Sequence, residues 1–285
     1  MRSVLISGAS TGIGECCALD LARRGYQVFA GVRRDEDGRR LEQAAFDATR
    51  TERLRAVRLD VADEASVRAA TDLIRAATGR EGLYGLVNNA GIVVGGPLEF
   101  LPMAELRRQL DVNFFGAVAL TQACIPMLRA TRGRVVMMSS IAGRTYLPFA
   151  WPYCVSKHAM ETTSDSLRVE LRPWGIKVVL VEPGATATPI WTKSLSSSDQ
   201  LTAKFPEECE RLYGVALANF KRESAKSGAR GIPAERVARV VARALGSRSP
   251  RRRYLVGIDA KLLARVYRWL PASVTDWMLS RALRG

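Results

Sequence analysis

The sequence predicts an α/β fold, a doubly wound parallel sheet of about seven strands with helices on both faces and a helical C-terminal extension. Three observations predict it. Short apolar runs rich in Val and Ile alternate with longer helical stretches along the 285 residues. These runs are largely apolar rather than alternating with polar residues, as strands buried on both faces are. A glycine-rich turn follows the first run at once and opens the first helical stretch, the arrangement of a right-handed βαβ crossover.

Taken in order, VLIS (4–7) is the first strand and a helix over 13–24 follows it. QVFAGV (27–32) precedes a helix over about 36–50, and LRAVRLDV (54–61) one over 63–78. YGLVNN (84–89) leads to a long helix over about 103–130, and RVVMMS (134–139) to one over about 152–172. IKVVLVE (176–182) is the sixth strand. RRYLVG (252–257) is the seventh, after the helix PAERVARVVARAL, whose Pro233 suits a first-turn position. No repeat or linker divides the chain, and its one biased tract is the short SLSSSD (194–199). One domain is expected over 1–257, with a substrate lid at about 189–230, and an extension over 258–285.

Composition narrows the function. At 47% hydrophobic and 25% charged residues the chain can bury a sizeable core. One histidine, His158, excludes most His-ligated metal sites and makes a Ser-His-Asp hydrolase improbable, so no metal is expected and His158 belongs on a helix surface or partly buried. Five cysteines with no CxxC pair suit reduced thiols and a cytoplasmic protein. The N-terminus is too short and too soon broken by glycine for a signal peptide, and no stretch approaches the roughly 20 apolar residues that span a bilayer. The expected protein is soluble, or at most lies on a membrane. A net charge of +15 fits a phosphorylated cofactor, an anionic surface or a merely solvated face. No nucleic-acid motif accompanies it, so no nucleic-acid partner is expected.

After the first strand comes SGASTGIGE (7–15), spaced Gly8-x3-Gly12-x-Gly14. Glycines here allow a tight turn and let the backbone approach a pyrophosphate at a helix N-terminus, the physics of a Rossmann-type dinucleotide site. An acid that would bond the ribose hydroxyls of NAD is missing at the end of the second strand. Val32, Arg33 and Arg34 stand there instead, and arginine can fork onto a 2′-phosphate. NADP(H) is favoured, with NAD(H) the alternative through Asp35 and Glu36, which are expected rather to cap the next helix.

Further motifs stand in order along the chain: GASTGIG (8–14), LDV (59–61), NNAG (88–91), NFFG (113–116), SS (139–140), YCVSK (153–157) and PGATAT (183–188). Together they resemble the short-chain dehydrogenase/reductase family, and the GVRR turn (31–34), YCVSK, EPGATATPIW (182–191) and the extended C-terminus most resemble its steroid and retinol dehydrogenase branch. Ser7 departs slightly, since the family more often has threonine there. The resemblance implies a catalytic tetrad of Asn113, Ser140, Tyr153 and Lys157. Tyr153 would exchange a proton with the substrate oxygen that Ser140 polarises. Lys157 would lower the pKa of Tyr153 and bind the nicotinamide ribose, and Asn113 would place a relay water. It further implies cofactor contacts from Gly8, Ser10, Thr11, Gly12, Ile13 and Gly14 around the pyrophosphate. Asp60 and Val61 would lie beside the adenine, and Asn89, Ala90 and Gly91 along the adenosine ribose. Pro183, Gly184, Thr186 and Thr188 would orient the carboxamide.

The expected reaction is interconversion of an alcohol with a ketone or aldehyde on a bulky lipophilic substrate, steroid-, retinoid- or long-chain-like. Alternatives are a ketoacyl-type reductase acting on acyl thioesters and a non-catalytic dinucleotide sensor, against which the intact tetrad speaks. Trp191, Leu195, Leu201, Phe205, Leu212 and Tyr213 would line the lid, and Pro148, Phe149 and Trp151 an apolar wall. A homodimer or homotetramer is expected. In the tail, Leu262, Val266 and Trp269, then Val274, Trp277, Met278 and Ala282, form apolar stripes beside Lys261, Arg265 and Arg268. They are expected either to pack on the lid or a second copy, or to touch a membrane through 261–285.

Overall fold

The computed structural model describes residues 1–284; Gly285, the last residue of the expected tail, and the side chains of Ala282 and Arg284 lie outside the described residues. Its main sheet has seven parallel strands in the order β3-β2-β1-β4-β5-β6-β9. These are β1 (Ser3–Ile6), β2 (Gln27–Val32), β3 (Leu54–Arg58), β4 (Gly85–Asn88), β5 (Arg134–Met138), β6 (Lys177–Pro183) and β9 (Arg253–Val256). The fold class expected from the sequence is the one found.

Along β1 side chains alternate between faces, which divides the core in two. Val4 and Ile6 join Val28, Ala30, Val179 and Val181 under α1 (Gly12–Arg23), α2 (Asp35–Thr49) and α9 (Ala234–Gly246). Leu5 joins Phe29, Leu86, Leu120 and Leu180 under α3 (Glu64–Thr78), α5 (Gly116–Thr131) and α6 (Trp151–Glu170). Strand order reverses between β1 and β4, and in such sheets ligands bind outside the carboxyl ends of the strands at that point.

The long helix expected over 103–130 is not regular. It runs as α4 (Met103–Leu110), a π-helical turn (Asp111–Phe115) and α5. Met103–Thr131 is also long and apolar enough by composition to cross a membrane, against the sequence reading, yet here it covers the sheet and carries Asn113. Asp35 and Glu36 lie in the first turn of α2 and do not cap it; the cap position is Arg34. Pro233 stands one residue earlier than expected, at the cap of α9. A second, two-stranded ladder, β7 (Thr186–Ala187) with β8 (Ile232–Pro233), was not legible because each strand is two residues long.

The lid region forms α7 (Ile190–Thr202) and α8 (Glu207–Ala229), and the tail forms α10 (Ile258–Trp269) and α11 (Ala272–Arg284). The tail packs with other faces than its apolar stripes suggested. Ala260 and Thr275 are buried and Tyr267 half-buried, whereas Leu262, Trp269, Val274, Trp277 and Met278 face outward. All five cysteines are unpaired.

Candidate active site

The glycine loop lies at the carboxyl end of β1, where the chain must turn sharply into α1. Gly8 and Gly12 have φ of +64° and +62°, a conformation that side chains disfavour. Space matters as much: a Cβ on Gly14 would come within 2.2 Å of the Gly8 carbonyl. Ser7, where the family more often has threonine, ties this loop to the end of β4. Its hydroxyl accepts the backbone N–H groups of Asn89 (3.0 Å) and Ala90 (3.1 Å). The Asn89 amide in turn donates to the carbonyls of Ser7 (3.1 Å) and Gly8 (3.0 Å). Asn89 is therefore a strut of the loop.

Thr11 caps α1 without a side-chain hydrogen bond, leaving the first-turn N–H groups as donors for an anion. This cradle fits a dinucleotide pyrophosphate. Lys193 of α7 reaches to 3.5 Å from the Thr11 hydroxyl, a cation beside the loop that only the fold reveals. At the end of β2, Arg33 is exposed and makes no hydrogen bond or ion pair among the described residues. Arg34 instead forks onto Asp37 (2.9 and 3.2 Å), which leaves Arg33 as the unengaged guanidinium. Arg40, also missed, bonds Glu15 (2.6 Å) and the Ser10 carbonyl (2.7 Å) and so braces the loop from outside. Half-buried Asp60 turns its carboxylate onto the N–H of Ala62 (3.1 Å), and buried Val61 packs under α5.

Tyr153 and Lys157 stand one turn apart on α6, and the Lys157 ammonium is 5.5 Å from the centre of the Tyr153 ring. Lys157 is buried and donates to the Met138 carbonyl at the end of β5 (2.7 Å). Burial drives its pKa down to about 8. The expectation that Lys157 would draw the Tyr153 pKa down does not hold in this arrangement. Burial pushes the Tyr153 phenol up to about 12, against a smaller downward pull from the nearby Ser140 hydroxyl. The reason is desolvation: the charged form of either group loses more hydration here than its neighbour returns. Ser140 also accepts the Ala142 N–H (3.2 Å) and points at the Pro183 carbonyl (3.5 Å), which sets its hydroxyl between β5 and β6.

Asn113 is fully enclosed at the middle of the π-helical turn. Its Oδ1 accepts the Ile92 N–H (2.8 Å), and its Nδ2 donates to the Ile92 carbonyl (3.0 Å) and Ser156 (3.1 Å). One lone pair on Oδ1 is left for a water. Gln109, one turn earlier and equally buried, grips the same segment through Val94 N–H (2.7 Å) and the Ile92 carbonyl (2.9 Å). The loop after β4 is thus clamped by two amides, of which the sequence motif showed one.

Thr188 comes over the glycine loop, where a Cβ on Gly12 would stand 3.2 Å from it, so the segment 183–188 faces the cradle. Thr186 turns its hydroxyl back on Gly184 (3.2 Å). Trp191, expected in the lid, stands in α7. Its indole donates to the Thr186 carbonyl (2.8 Å) and its ring fills the space beside Gly228, pinning α7 to α8. Leu212 points to solvent. The apolar wall is instead an aromatic group: Phe149 packs edge-on against Tyr213 and Phe220, and Tyr213 against Phe100, which also neighbours Phe205. Phe149 sits at φ 62°, and its carbonyl takes the Gly96 N–H (2.7 Å). His158 is exposed and, among the described residues, bonds only the Cys154 carbonyl (2.9 Å), as a surface histidine.

A family model described as short chain dehydrogenase matches residues 2–199. Retinol dehydrogenase 5 of Mus musculus is 35% identical over 98% of this chain and 89% of its own length. An NADPH-dependent 3-dehydrocapnine reductase of Ornithobacterium rhinotracheale is 34% identical over 99% of this chain and 95% of its own. Among solved structures, a short-chain dehydrogenase from Streptomyces avermitilis superposes with a TM-score of 0.77 and 27% identity, covering 98% of this chain and 97% of that one.

Proposed function

Since the chain belongs to the short-chain dehydrogenase family, and is thus an oxidoreductase of nicotinamide dinucleotides, we propose that it interconverts an alcohol and a ketone or aldehyde on a bulky lipophilic substrate. NADP(H) is the favoured cofactor and Tyr153 the group that gives or takes the proton. The observation that carries this reading is the meeting of Tyr153, Ser140 and buried Lys157 at the strand ends beside the glycine cradle. The bound cofactor supplies hydride chemistry. Tyr153, neutral at physiological pH with its pKa near 12, is set to donate to a carbonyl oxygen that the Ser140 hydroxyl also holds. Lys157, with its pKa near 8, stands ready to return a proton toward Tyr153. Asn113 and Gln109 keep the loop after β4 in place.

The lipophilic class is supported by the aromatic wall of Phe149, Tyr213, Phe220, Phe100 and Phe205 and by the retinol dehydrogenase among the relatives. NADP(H) is supported by unengaged Arg33 and by the NADPH-dependent relative. The proposal extends to a cytoplasmic protein with a peripheral membrane contact through 261–285. On α10, exposed Ile258, Leu262 and Trp269 run beside Lys261, Arg265 and Arg268, and on α11 Val274, Trp277 and Met278 continue outward with Arg281. Apolar ridges flanked by cations complement an anionic bilayer, from which lipophilic substrates are drawn. Exposed Phe115 beside α5, with Val155 and Val169 on α6, fits a second copy of the chain in a homodimer or homotetramer.

The test is purified protein against steroids, retinoids, long-chain ketones and acyl thioesters, with NADPH and NADH in parallel. Turnover of a lipophilic carbonyl or alcohol is expected. Tyr153→Phe should keep fold and cofactor binding and lose at least ~10²-fold in kcat. Near-normal turnover by that variant would overturn the reading.

A further inference from the structure

The segment Pro183–Thr188 leaves the sheet at the end of β6 and has to hold an open turn over the cradle. Two of its backbone N–H groups are caught from the C-terminal side. Gly184 N–H donates to the Val256 carbonyl at the end of β9 (2.9 Å). Ala185 N–H donates to the Asp259 carboxylate in the first turn of α10 (2.7 Å). The β6–β9 ladder ends at Val256, and a half-buried N–H without an acceptor costs about as much as a lost hydrogen bond.

The chain is shaped around that carboxylate. A Cβ on Gly184 would lie 2.1 Å from it, and one on Gly257 2.2 Å. Gly257 has φ +113°, which swings the backbone so that Asp259 points back at the turn. Ala260, fully buried, fixes the start of α10 behind it. On its other side the same turn is held by the Ile232 N–H on the Ala185 carbonyl (2.9 Å) and by Trp191 on the Thr186 carbonyl (2.8 Å). Groups from β9, α10, β8 and α7 converge on one six-residue stretch.

We propose that Asp259 is a positioning residue for the reaction: its carboxylate holds the Gly184–Ala185 turn in the shape that presents Thr186 and Thr188 to the nicotinamide end of the cofactor. This rests on the reading above that the 183–188 segment receives that end. Asp259 touches no reacting atom and acts through the turn. The expected boundary between a catalytic domain ending at 257 and a separate extension then falls in the wrong place, because the first turn of the extension belongs to the site.

The test compares Asp259→Ala and Asp259→Asn with the full-length protein. Without cofactor, hydrogen exchange at the Ala185 amide should speed up about tenfold in the Ala variant, the loss of one hydrogen bond. Affinity for whichever of NADPH and NADH binds better should fall by about the same factor. Affinity for the matching fragment without nicotinamide, 2′-phospho-ADP-ribose or ADP-ribose, should stay within about twofold, since it lacks the group that the 183–188 turn would receive. Asp259→Asn keeps an acceptor oxygen and should restore most of the loss. Equal losses for dinucleotide and fragment would show a general structural role and overturn the proposal. So would unchanged dinucleotide affinity in a folded Ala variant. Neither outcome bears on Tyr153, whose substitution tests the chemistry separately.

Discussion

Two side chains show how burial and pairing, rather than residue type, set behaviour at the residue scale. Arg33 and Arg34 read alike in the sequence, yet Arg34 is engaged by Asp37 and Arg33 is not. Arg33→Ala should weaken NADPH by about 1.5–3 kcal/mol, the worth of a hydrogen bond to a charged group, and leave NADH nearly unchanged. Titrating both cofactors into both proteins checks it, and equal losses would remove Arg33 from the 2′-phosphate. Lys157 carries a pH signature. Its folded pKa of about 8 lies below the ordinary 10.5, so from 8 to 10.5 the unfolded chain binds more protons than the folded one. Its contribution to stability is therefore present above 10.5 and lost as pH falls through 8. Without cofactor, the stability of the natural protein relative to Lys157→Met should rise across that window by roughly 3 kcal/mol, measured by urea unfolding. A flat difference would mean that Lys157 is not desolvated.

Among the elements, the loop between the short helical turn at Ile141–Gly143 and α6 stores strain. Phe149 holds a left-handed conformation at φ 62° because its carbonyl must meet Gly96 and its ring must meet Tyr213 and Phe220. Phe149→Ala and Phe149→Gly both lose the ring, but only Gly relieves the backbone. The Gly variant should be the more stable by about 1 kcal/mol, the reverse of the usual order. Urea midpoints of the two variants decide it, and an Ala variant at least as stable would show the loop unstrained. Both should raise KM for lipophilic substrates through the loosened wall. The π-helical turn at Asn113 has the same character, an irregularity where the site needs an amide aimed inward.

At the scale of the whole molecule, the tail joins two roles. Its inner face braces the loop before α6 and the lid: Tyr146 bonds Thr275 and Asp276 of α11 (2.6 Å each), and Asn219 of α8 donates to Leu283 (2.9 Å). Its outer face carries the tryptophans and the arginines. Anionic vesicles should sediment the full-length protein in a salt-sensitive way, and neutral vesicles should not. Arg265→Glu with Arg268→Glu should abolish this, since each basic residue is worth about 1 kcal/mol at such a surface. Trp269→Ser with Trp277→Ser should weaken it. No binding by the natural protein would end the membrane reading, and a change of oligomer mass in these variants would assign the face to a second copy.

What the sequence determined by itself was whatever depends on local order. Unbroken Val- and Ile-rich runs specify buried parallel strands, three glycines after β1 specify a turn that admits phosphate, and YCVSK sets Tyr153 and Lys157 on one helical face. Those signals survive because they lie within one or two turns of chain. Only the tertiary structure decided the rest, because it depends on which distant groups meet. Ser7 reaching Asn89, Gln109 reaching Val94 and Asp259 closing on Ala185 join positions 15 to 82 residues apart. The direction of the tail's apolar stripes and the upward shift of Tyr153 were likewise invisible, since both are settled by how much water the neighbours leave.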